Sequence, residues 1–148
     1  RKVLLGEKVM IHADESLARA GTRFYIHARN ASAALLFLLE HAPREGRLAA
    51  RYNIVGEREV DNLSLAKLIA RVAGKTLQYE MVNWHTSARP GHDLRYALDG
   101  SKLASLGFVY PKTFEESLER SVLWTMRNPR WIGLSPSAEE GIRPGTRV

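Results

Sequence analysis

Arg89-Pro90-Gly91-His92-Asp93-Leu94-Arg95-Tyr96-Ala97-Leu98-Asp99, followed by Ser101-Lys102 and Leu106-Gly107-Phe108, is the most informative stretch of this 148-residue chain. Pro90-Gly91 makes a tight turn, because proline presets one backbone angle and glycine accepts what must follow. The turn presents a guanidinium on one side and an imidazole on the other. A guanidinium is a planar, permanently charged fork of donors matched to phosphate oxygens. Arg89 with His92 therefore reads as a phosphate clamp. A surface turn carrying an Arg–Asp pair fits the same residues equally well.

Outward from this stretch, strands alternate with helices. Val9 to His12 predicts a short strand, Ala13 to Thr22 a loop, and Arg23 to Ala28 a second strand. Asn30 is placed to cap a helix over Ala31 to His41, ended before Pro43. Tyr52 to Val55 predicts a strand closing on Gly56. Asp61 or Asn62 caps a helix running to about Ala73, with Leu65, Leu68, Ile69 and Val72 on one face and Gly74 just past its end. Leu77 to Val82 predicts a strand, and Asn83 to Arg95 a loop. Ser101 to Leu106 makes a short helix closed by Gly107. Thr113 and Glu116 form a T-x-x-E capping box. The helix it opens carries Leu118, Val122 and Met126 and stops at Asn128-Pro129. Residues 1–134 make the ordered part, and 135–148, rich in Pro, Gly, Ser and charge, predict a flexible tail. The class is α/β, or α+β if the chain stands alone. Ala31 to Leu39 is apolar nearly all round, so it calls for cover that a missing domain or a homo-oligomer would supply.

Composition narrows the function. At this length a single domain buries roughly 68–70% of its unfolded surface. There is no cysteine, which excludes disulfides, zinc-thiolate sites and a cysteine nucleophile. No apolar run approaches the roughly 20 residues of a membrane span. No signal peptide is visible after Arg1, so the expected location is the cytoplasm; a chain opening on Arg1 also agrees with a fragment. The net charge of +6 suits an anionic partner, whether nucleic acid or a diphosphate-bearing small molecule. His12, His27, His41, His85 and His92 show no metal-ligand spacing, and no G-x-S-x-G elbow marks a nucleophile. No nucleic-acid-binding motif is present.

R-P-G-H-D-L-R-Y-A-L-D with its following S-K and L-G-F resembles the carboxy-terminal signature of the dTDP-glucose 4,6-dehydratases, within the extended short-chain dehydrogenase/reductase family. Tyr52-Asn53-Ile54 with Gly56 and Asn62-Leu63, and then Phe114 to Leu118, Val122, Trp124 and Asn128 to Trp131, resemble its flanking segments. The resemblance covers about Arg1 to Trp131. It implies the last part of a Rossmann-type domain plus the small carboxy-terminal substrate-binding domain. It also implies roles: Arg23 on the nucleotide diphosphate, Asn62 on the nucleotide, Arg89 and His92 on the phosphates and ribose, Met10 and His12 against the base. Arg23-Phe24-Tyr25 stands where the family reads R-D-W, His12 where it has tyrosine, and Asn30 where it has aspartate. The loop from Ala13 to Thr22 is several residues longer. The base, thymidine or uridine, stays open.

The family's G-x-x-G-x-x-G turn, which holds NAD pyrophosphate at a helix N-terminus, has no counterpart here. Nor has its Tyr-x-x-x-Lys pair: the fourth residues after Tyr25, Tyr52, Tyr79, Tyr96 and Tyr110 are Arg29, Gly56, Asn83, Gly100 and Phe114. The expectation is a nucleotide-sugar-binding portion with no catalytic residue, no metal site and no cofactor of its own, NAD belonging to the intact enzyme. A Rossmann half on the same or another chain, or a second copy, would complete it. The alternatives are a stand-alone, non-catalytic binding or structural protein derived from that family, or a basic nucleic-acid-binding module.

Overall fold

The computed structural model describes residues 1–41, 51–83, 85 and 93–134; the expected tail, 135–148, lies outside them. A four-residue helix, α1 (Lys2–Leu5), ends on Gly6 and leads into β1 (Val9–Ala13). The chain turns at Asp14, whose carboxylate accepts the amides of Ala18 and Arg19, and continues into β2 (Thr22–Phe24). Then come α2 (Ala28–His41), β3 (Glu59–Asp61), α3 (Asn62–Val72), β4 (Tyr79–Asn83), β5 (Arg95–Tyr96), α4 (Ser101–Ala104) and α5 (Phe114–Arg127). A 3-10 turn, Pro129–Ile132, follows. This is the α/β mixture that the sequence predicts.

The strands form two small sheets. β1 and β4 pair in parallel, Val9 opposite Tyr79 through Ala13 opposite Asn83. The second sheet has the order β3-β2-β5, with β2 antiparallel to β3 and parallel to β5. Because strand side chains alternate between faces, Val9 and Ile11 turn to the core while Met10 and His12 share the opposite face. Ile11, Ala20 and Ala66 form one core cluster, with Leu63, Leu77 and Met81 against it. Ala73, Met126 and Leu134 form another, covered by Val3, Leu4 and Val122. The most buried residues of α3 and its C-cap are Ala66, Ala70 and Ala73, small residues that let neighbouring elements approach closely, while Leu65 and Ile69 flank them half-buried.

Helix ends follow the sequence closely. Asp61 accepts from the Ser64 amide at 2.8 Å to open α3. At its far end Gly74 adopts φ 63°, and the Lys75 amide reaches back to the Ala70 carbonyl, a Schellman closure. Thr113 and Glu116 make both halves of the capping box at α5.

Three readings are corrected. Asn30 does not cap α2. The helix starts three residues earlier, at Ala28, where the His27 ring accepts the Arg29 amide, and Asn30 is buried inside it, donating to the Lys112 carbonyl at 2.8 Å. β2 stops at Phe24 because this early helix start leaves no room for a strand to Ala28. Tyr52 to Val55 is not a strand. Its polar groups are met by side-chain contacts: Tyr110 donates to the Val55 carbonyl and Asn53 to the Asp99 carbonyl. Gly56 belongs there for a steric reason, since a Cβ on it would lie 2.2 Å from the Tyr25 carbonyl oxygen.

α2 carries the expected apolar surface. Ala34 is fully buried, but Leu35, Leu36 and Leu39 are 56, 62 and 70% exposed. Nothing among the described residues covers them.

Replacing the α5 cap tests this account of the helix ends. Thr113→Ala should lower unfolding stability by about 1 kcal/mol in urea titrations, and Thr113→Ser should restore most of it. An alanine variant as stable as the parent would contradict the capping role.

Candidate functional site

The site assembles around Gly21, at the junction of the two sheets. Its amide donates to the His12 carbonyl at 2.9 Å, and its carbonyl accepts the Asn62 amide at 2.8 Å. A Cβ at this position would lie 3.0 Å from the Leu94 carbonyl oxygen, 3.4 Å from the Asn62 side-chain nitrogen and 3.7 Å from the Arg23 guanidinium. One missing methyl group thus brings three chain segments into a single small space.

Arg23 is fixed from several directions. Its guanidinium donates to the carbonyls of Thr22, Leu94 and Asp93, and lies 4.0 Å over the Tyr96 ring. These contacts hold the point where the chain leaves the R-P-G-H-D turn. Arg89 and His92 themselves lie outside the described residues. Asn62, at the first turn of α3, accepts a hydrogen bond from the Tyr25 hydroxyl. Burial raises the Tyr25 phenol above its ordinary value, against the pull of the Arg23 charge, so it stays a donor at neutral pH.

A second polar cluster braces the sheet beneath. Arg95 on β5 makes a two-pronged contact with Glu59 on β3, at 2.8 and 3.0 Å, spanning the central strand. Thr22 on that strand donates to the same carboxylate. The Arg95 bonds, followed by Thr22, hold the Glu59 carboxyl at about 2, below the ordinary 4.5.

Of the residues singled out in the sequence, Arg23 and Asn62 meet at Gly21. Met10 and His12 lie on the neighbouring β1, joined through the His12–Gly21 hydrogen bond; Met10 is exposed and His12 half-buried. Gly21, Tyr25 and Tyr96 were not singled out. Tyr96 lies inside the quoted motif and Tyr25 stands at the family's tryptophan position, so both had a signal. Gly21 had none, because its role depends on a long-range approach.

The chain is 36% identical over 89 residues to a dTDP-glucose 4,6-dehydratase of Escherichia coli, covering 54% of this chain and 25% of that protein. Among solved structures it resembles a dTDP-glucose 4,6-dehydratase of Bacillus anthracis in complex with NAD, with TM-score 0.66, 27% identity, and coverage of 88% of this chain and 38% of that one. It also resembles the UDP-glucose 4-epimerase of Bifidobacterium longum in complex with NAD+ and UDP, with TM-score 0.67, 26% identity, and coverage of 86% and 38%. The chain is a partial-length relative of the extended short-chain dehydrogenase/reductases. No family model matches it. This short-chain dehydrogenase/reductase relative spans only about a quarter to two fifths of the proteins it matches.

The described residues of this relative do not fit the dinucleotide that the family implies. Its three long helices are opened by His27, Asp61 and Thr113, not by a glycine-rich turn. Among the described residues no group of His, Asp and Glu could hold a metal, and no helix is long and apolar enough to cross a membrane.

The Glu59 brace has a pH signature. Its carboxyl is depressed in the folded state, so its stabilising contribution is present above the unfolded value near 4.5 and lost as pH falls through about 2. Carbon-detected NMR titration should follow Glu59 at about 2 in the parent protein and clearly higher in Arg95→Ala, where Thr22 alone still donates to it. An unchanged titration in that variant would remove Arg95 as the cause.

Proposed function

We propose that this chain is the nucleotide-sugar-binding portion of an NAD-dependent sugar-nucleotide 4,6-dehydratase or epimerase, taking a dTDP- or UDP-hexose, and that it is without the NAD-binding and catalytic half. The observation that carries the reading is the meeting of Arg23, Asn62 and the exit of the R-P-G-H-D turn at Gly21. Arg23 and Arg89 would take the diphosphate, His92 the phosphates and ribose, Asn62 the nucleotide, and Met10 and His12 the base. The likeness to a dTDP-glucose 4,6-dehydratase and to an epimerase in complex with UDP supports a nucleoside-diphosphate ligand. The absent Tyr-x-x-x-Lys pair and glycine-rich turn support the lack of independent turnover.

In this reading a Rossmann half, on the same polypeptide or a second one, or else a second copy of the chain, covers Leu35, Leu36 and Leu39. Contiguous apolar faces of that kind are uncommon on proteins that work alone. The expected setting is the cytoplasm.

Calorimetry tests the clamp. A nucleoside diphosphate, dTDP or UDP, should bind more tightly than its nucleoside, and more weakly as salt rises. Arg89→Ala should weaken it about ten- to a hundredfold, as the loss of one charge-assisted contact predicts. Lys67→Ala, a charge removed from the exposed face of α3, should change it less than twofold. Equal losses in the two variants would mean that diffuse positive charge, not a placed clamp, holds the ligand.

A further inference from the structure

A second concave surface lies away from Gly21, between the first turn of α2 and the length of α5. Its volume is about 460 Å³, which falls within the range of small-molecule sites. Arg120, Trp124 and Arg127 fall at i, i+4 and i+7, one face of α5, and Arg29 enters from α2. The three guanidiniums have no carboxylate partner within ion-pair distance among the described residues. Lys112 adds a fourth cation, already paired with Glu116 at 3.2 Å. Glu119 also lines the cleft, so the cations exceed the carboxylates by two. Trp124 is 51% exposed and tilts against Trp131, the ring centroids 6.1 Å apart.

Other positions of α5, among them Phe114, Ser117 and Met126, are buried, whereas this indole and these charges are left at the surface. The surface combines a flat π face with uncommitted guanidiniums on either side of it along the helix. An indole face recognises a planar ring, and guanidiniums recognise phosphate oxygens. Arg29, at the start of α2, adds its charge to the positive end of that helix, which favours an anion further.

We propose that the cleft between α2 and α5 binds a mononucleotide, its ring stacked on Trp124 and its phosphate held by Arg29, Arg120 and Arg127. The ligand could be free or the end unit of a single strand, since the recognised chemistry is the same. The site shares no residue with the junction at Gly21 and does not depend on the function proposed there.

The test is calorimetric titration of the 148-residue chain with AMP, inorganic phosphate, a six-residue oligothymidylate and a hexaglutamate peptide. AMP should bind at least about fivefold more tightly than phosphate, because base stacking contributes only for a ligand with a ring. Arg120→Ala/Arg127→Ala should weaken AMP at least about tenfold. Trp124→Ala should weaken AMP but leave phosphate unchanged. Circular dichroism confirms that these surface variants fold. Tighter binding of the oligonucleotide through the same residues also supports the site and makes a strand the source. AMP no better than phosphate, AMP affinity unchanged in the double arginine variant, no measurable AMP binding, or tighter binding of hexaglutamate than of AMP would overturn the proposal.

Discussion

Gly21 is the residue through which the two sheets are joined. Its amide is tied to β1 and its carbonyl to the start of α3, while the Leu94 carbonyl and the Arg23 guanidinium crowd the space where a side chain would be. Any larger residue would push apart the three segments that carry Arg23, Asn62 and the end of the R-P-G-H-D turn. The candidate site is therefore a consequence of one close backbone approach. The Glu59–Arg95–Thr22 cluster stiffens the short strands around it, where three-residue ladders alone supply few hydrogen bonds.

Arg23 illustrates how binding and structure can compete for one side chain. Its donors are directed to the carbonyls of Thr22, Asp93 and Leu94, and its flat face lies on Tyr96. In the proposed reading a diphosphate at this point would share the guanidinium with those carbonyls or displace some of them, and binding would then be coupled to the position of the segment leaving the R-P-G-H-D turn. Five donors on one planar group can serve backbone and phosphate together.

Elements set by local chemistry were legible from the sequence. The T-x-x-E box, the Asp61 cap and the Gly74 closure all stand where residue type alone puts them, because each depends on neighbours within a few positions. Elements set by distant neighbours were not. Tyr52 to Val55 has strand composition, yet Asp99 and Tyr110 engage its polar groups from far along the chain. Asn30 looks like a cap, but the His27 ring takes that role and Asn30 reaches instead to Lys112. At the site, Arg23 and Asn62 were legible through resemblance, whereas Gly21 became visible only once three segments were placed in space. The exposed leucines of α2 were anticipated as a surface in need of cover, since no helical period can hide a run that is apolar all round.

The central claim is that a nucleoside diphosphate is received at the Gly21 junction. Amide shifts of 15N-labelled protein titrated with dTDP locate the ligand residue by residue. The amides of Gly21, Thr22, Arg23, Asn62 and Leu94 should move together along one saturation curve. Shifts confined to other surfaces, or an unmoved Gly21 amide at saturation, would contradict it.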